Sequence, residues 1–231
     1  MSILDELGIY ITDFILTVEL IWMLISINGG IKDYVDLIPS DSKFLFRAFF
    51  IDFACTSAFG VLYHIMRSAL KFGRGPLDSF LWGLVKYPLM CLMLILVAFI
   101  ASVFYPQQKK YFFSVLFGIA IFFGIWIFPK QEFIYCMYMY GPGVIVSIVL
   151  LLLARPQYES LRAGRLWLLF GLIGIIFASI PVAMPKTFDF TKYIEHNAIY
   201  HVLTILDMFI VYRGIQFALE PVKVTQYKLM G

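Results

Sequence analysis

The stretch from Leu77 to Tyr105, LDSFLWGLVKYPLMCLMLILVAFIASVFY, carries only two charged residues, Asp78 and Lys86, and none after Lys86. An α-helix needs about 20 apolar residues to cross the hydrocarbon core of a bilayer, because every backbone amide must be satisfied within the segment once water is absent. This run exceeds that length, which predicts a tilted helix or one that projects beyond the lipid. Six comparable runs accompany it, so the spans read about 8–27, 44–66, 77–105, 111–128, 133–154, 166–184 and 196–217. The fold expected is all-α: a polytopic membrane protein forming one seven-helix transmembrane domain over residues 1–231.

Composition agrees. Of 231 residues, 61% are hydrophobic and 14% charged, against about 25% charged in a soluble domain. Nothing near Met1 has the basic region and cleavage site of a secretory leader, so the first span is read as its own insertion signal. Cys55, Cys91 and Cys136 all lie in apolar runs without metal-site spacing and read as small apolar residues. The net charge of +3 is dispersed, which excludes a nucleic-acid partner from the reading and leaves the bilayer and its lipids. Lys and Arg are more numerous on the side holding the loops after spans one, three and five and the C-terminal end. That bias predicts a cytoplasmic C-terminus and an outside or luminal N-terminus.

Turn chemistry is expected at Asn28–Gly30 and in IPSDS (38–42), at PQQKK (106–110) and at Pro129. In YGPGV (140–144), Pro142 removes a helical hydrogen bond and the glycines permit close packing, so a kink is expected. The tyrosines of FIYCMYMYG (133–141) read as an interfacial belt with packing, or as a wall for an acyl chain.

Counting spans places the chemistry. Even-numbered helices end on the face where odd-numbered helices begin. His64 at the end of span two, Asp78 at the start of span three, and His196 and His201 at the start of span seven therefore share one face. These are all the histidines in the chain. Ser57 precedes His64 by seven residues, two helical turns and roughly 10 Å deeper. Three neutral imidazoles with an open fourth position suit Zn²⁺ carrying a water, whose pKa the metal lowers and whose attack on a carbonyl it assists. A nearby carboxylate such as Asp78 could take the proton or orient a ligand. Residues five apart on a regular helix point about 140° from one another. Joint ligation by His196 and His201 therefore requires the helix to begin at Asn197, with His196 bending back from the loop.

The pattern resembles the CREST superfamily of seven-helix membrane proteins, which includes alkaline ceramidases and progestin/adipoQ receptors. SAFGVLYH corresponds to its serine and histidine on helix two (Ser57, His64), PLDSFLW to its aspartate near helix three (Asp78), and HNAIYH to the histidine pair opening helix seven (His196, His201). The resemblance implies a zinc ion on His64, His196 and His201. Asp78 and Ser57 would then be the catalytic groups, and the substrate a membrane lipid cleaved at an amide or ester. Two other readings stand beside the hydrolase. One is a seven-helix receptor or sensor in which the cluster is structural. The other is a carrier that uses Glu19, Asp52, Lys86 and Asp207 as a path. Similar depths of Lys86 and Asp207 also suggest an ion pair between spans three and seven.

Overall fold

A computed structural model describes residues 7–30, 38–70, 75–130, 134–156, 158–183 and 196–220. Its elements are seven α-helices: α1 (Leu7–Gly30), α2 (Ser40–Leu70), α3 (Pro76–Phe104), α4 (Lys109–Ile127), α5 (Ile134–Leu153), α6 (Glu159–Ala183) and α7 (His196–Leu219). All seven are long and apolar enough to cross a membrane, so the protein is an all-α, seven-helix membrane protein. The helices follow the predicted spans but several run longer: α2, read as 44–66, extends from Ser40 to Leu70, and α1 and α6 also differ at one end. The turn expected at Asn28–Gly30 is the last turn of α1, where Asn28 Nδ2 donates to the Leu24 carbonyl and its Oδ1 accepts from Arg47 Nε. Helix α6 begins at Glu159 rather than near 166, because an interfacial first turn accommodates the charges that interrupt the apolar run.

Helix α3 is the centre of the bundle. Pro76, whose missing N–H suits a first helical position, opens it after an extended Gly75. Buried side chains then surround it, and Met93, Leu96, Phe99 and Ile100 join Phe46, Phe49 and Phe50 of α2 in one continuous core. Helices α2, α4 and α5 pack on α3, while α1 packs on α2 and α7. Pro142 lies inside an unbroken α5, and Gly143 lets that helix close on α3: a Cβ there would stand 2.6 Å from Met93 Cβ.

The tyrosines of α5 divide by depth. Tyr135 and Tyr138 contact the Trp126 ring, and the Lys130 ammonium lies 4.9 Å from the Tyr135 ring centre. That is the belt arrangement. Tyr140 instead is buried and shares a hydrogen bond with Tyr200 of α7.

Helices α6 and α7 meet without intervening side chains. A Cβ at Gly171 would stand 2.6 Å from Val211 Cγ2 and 3.1 Å from the Val211 nitrogen, and one at Gly164 would stand 2.8 Å from the Ala218 nitrogen. The reciprocal contact places Gly214 of α7 against Leu168. Small residues at such a seam allow the close backbone approach on which helix association in lipid depends.

Lys86 does not pair with Asp207. Its Nζ donates to the carbonyls of Ile127, Phe128 and Lys130, at 3.1, 2.8 and 2.9 Å, at the end of α4. An ammonium has three protons, and all three are used. The end of α4 offers unpaired carbonyls and the negative pole of the helix dipole, which suits a buried cation. Asp207 sits in the other seam, where a Cβ at Gly174 would overlap its carboxylate. Depth along the helices, which suggested the ion pair, is therefore not enough: the two groups face different neighbours.

Candidate functional site

Three helices meet around Asp13 of α1, whose carboxylate is buried. One oxygen, Oδ1, is 2.9 Å from Nδ1 of His201 on α7. The other, Oδ2, faces α2 where Gly60 leaves room; a Cβ there would be 3.1 Å from it. The Asp13 backbone carbonyl accepts from Ser57 Oγ at 2.7 Å and from Thr17 Oγ1 at 2.8 Å. The carboxylate is thus enclosed by an imidazole on one side and a glycine on the other, with its main chain tied to α2.

His64 lies one turn beyond Gly60 toward the end of α2. Its ring centre is 5.5 Å from that of Tyr63 and 6.3 Å from that of Tyr10 on α1. Asp78, at the start of α3, is buried and accepts from the Tyr63 hydroxyl at 3.2 Å, and the same hydroxyl accepts from Arg67 Nη1 at 3.2 Å. Tyr63 also packs on Trp82, with ring centres 5.4 Å apart.

The shared face read from the sequence is therefore present, but its members fall into two groups. His201 belongs with Asp13 and Ser57, while Asp78 belongs with Tyr63 and Arg67. Ser57 is a correction to the catalytic expectation: its proton is committed to a backbone carbonyl, so it fastens α2 to α1. Asp13 is the member of the site that no motif in the sequence marks. The span count that grouped the histidines applies to it as well, since α1 begins on their face and Asp13 lies two turns in.

A metal centre is not what the described residues build. Among them, no group of three His, Cys, Asp or Glu side chains is placed to hold an ion. His64 and His201 are described, whereas the side chain of His196 lies outside the described residues. Its backbone opens α7, so His196 and His201 are five apart on one helix, about 140° around its axis. The late start at Asn197 that joint ligation requires is not observed. The zinc set of His64, His196 and His201 includes a side chain outside the described residues, and no chemical step is assigned to a metal.

Residues 9–220 match the model of a family of unknown function, DUF6962. The chain belongs to that family. The match takes in all seven helices except the outermost residues of α1, and so includes every residue of the Asp13 and Asp78 groups. No curated protein and no solved structure matches the chain.

Proposed function

We propose that this family member is a membrane hydrolase that cleaves an amide or ester bond of a lipid, with Asp13 and His201 as its acid–base pair. The observation that carries the reading is the buried Asp13 carboxylate 2.9 Å from His201 Nδ1. Isolated ionisable groups are costly in a membrane interior and are functional candidates there. The contact is one of proximity, since His201 Nδ1 makes no hydrogen bond of acceptable angle; a small turn of the ring in the reacting state would bring its Nδ1 proton onto Asp13 and leave Nε2 as the acceptor. His201 then takes a proton from water as the water oxygen bonds to the acyl carbon. Asp13 stabilises the imidazolium, and His201 returns the proton to the departing amine or alkoxide as the C–N or C–O bond breaks.

Phe14, beside Asp13, and Val202, beside His201, are 61% and 47% exposed, so the apolar outer surface of α1 and α7 adjoins the site. The test is release of fatty acid from a panel of neutral and charged lipid amides and esters by protein purified in detergent. His201→Ala and Asp13→Asn are each expected to lower turnover about 100-fold or more, the usual contribution of a positioned base. Undiminished turnover in both variants would overturn the proposal. Stoichiometric zinc that is lost with His64→Ala would instead return the three-histidine centre to consideration.

The receptor or sensor reading is the second. It is favoured by Ser57, whose hydroxyl serves the helix contact rather than an oxyanion. It predicts that Asp13→Asn changes thermal stability while no lipid in the panel is cleaved by the native chain.

A further inference from the structure

We infer that Arg67, held by Tyr63, is the seat for an anionic, phosphate-bearing lipid headgroup at the end of α2, on the face of the bundle that also holds the Asp13–His201 pair. The α2 residues Ser57, Gly60, His64 and Arg67 recur at intervals of three and four, so they form one stripe along the helix. Arg67 is its outermost member and is exposed. Its Nη1 reaches back one turn to the Tyr63 hydroxyl, and its guanidinium carbon lies 5.8 Å from the Tyr63 ring centre.

Tyr63 fixes what Arg67 can do. The tyrosine proton goes to Asp78, so its lone pair is what accepts from Arg67. The buried carboxylate thereby anchors the guanidinium through a neutral hydroxyl rather than by direct ion pairing. A guanidinium has five donors in a planar fork, and among the described residues Tyr63 is the partner of one. The remaining N–H groups suit the two-pronged contact with phosphate oxygens that arginine makes well and lysine does not. In the sequence, Lys71 and Arg74 follow, with no acidic residue until Asp78.

The surroundings favour a lipid over free phosphate. Leu62 and Ile65 flank the stripe on α2, Leu77 and Phe80 open α3, and all four are among the exposed large apolar residues. A headgroup on Arg67 would lie next to the surface that acyl chains cover. Along α2, Tyr63 and Gly60 are three residues apart, a rise of roughly 5 Å. That is a separation a phospholipid spans between its phosphate and its acyl carbonyls. As a statement about substrate class the inference rests on the hydrolase reading; as a statement about binding it does not.

The experiment measures binding of phosphatidic acid and of diacylglycerol with the same acyl chains to the full chain in detergent micelles, by native mass spectrometry. Turnover of each is followed separately. Phosphatidic acid is expected to bind more tightly, by about tenfold, the worth of one charge-assisted contact. Arg67→Gln removes that preference, Arg67→Lys restores part of it, and Tyr63→Phe, which keeps the ring, weakens it. In turnover, Arg67→Gln raises KM for the phosphate-bearing lipid and leaves kcat near native. Equal binding of the two lipids, or an unchanged preference in both Arg67→Gln and Tyr63→Phe, would overturn the inference. Competition by millimolar inorganic phosphate as effective as by the lipid would overturn the lipid source. Preferential binding with no turnover would remove the hydrolase reading and leave the seat in place.

Discussion

Helix α7 makes two unlike contacts. Against α6 it meets glycines, with Gly164 and Gly171 close to its main chain and its own Gly214 close to that of α6. Against α1 it meets a polar group, with His201 on the buried Asp13 carboxylate, whose own backbone carbonyl is bonded to Ser57 of α2. The first contact gains attraction from proximity, although the Asp207 carboxylate is lodged in it against Gly174. The second brings a carboxylate to an imidazole, a pair whose burial has no structural advantage over apolar side chains of equal volume. The difference is close backbone packing in the first seam and a facing acid and base in the second.

Substitutions can break that comparison. The largest effect is expected from Gly171→Leu, whose side chain would occupy the space of Val211 and its backbone. We expect loss of monodisperse protein on size-exclusion chromatography, and a native elution profile would show that the seam tolerates separation. Next is Lys86→Met, which strands three carbonyls at the end of α4, each costing about 1–3 kcal/mol if left unpaired. The expected result is a melting point lower by several degrees with faster amide exchange near residues 127–130. Ser57→Ala removes one interhelical hydrogen bond, worth about 1 kcal/mol. It sharpens the contrast if its melting point falls slightly while turnover stays near native, as expected of a fastening residue. Gly83→Ala is the smallest: nothing lies within 4 Å of a Cβ there. Replacing a helical glycine with no close neighbour leaves stability unchanged or raises it by up to about 1 kcal/mol, which a thermal melt resolves.

The membrane fold was legible because apolar run length is a direct consequence of bilayer thickness, and a run such as Leu89–Phe104 has no other reading. The shared face of His64, Asp78 and His201 was legible for a related reason, since counting crossings fixes which ends lie together. What counting does not supply is rotation about each helix axis. Lys86 and Asp207 have matching depths, yet one turns toward α4 and the other toward Gly174 of α6. The same missing angle leaves the contact between Asp13 and His201 unreadable from the sequence. Gly164, Gly171 and Gly174 carry no sequence mark of which helix they meet, since their partner is set by tertiary packing.

Helix α4 has one consequence of this kind. Ile127 is its only buried residue, and its fastenings lie at its two extremities: the Lys109–Asp41 ion pair, 2.6 Å long, at the start, and the Lys86 ammonium at the finish. It is mounted like a batten nailed at both ends. The stretch between the nails can exchange one bulky oily residue for another at little expense, whereas the nails themselves sit outside that freedom, and one of them is driven from the innermost helix of the bundle.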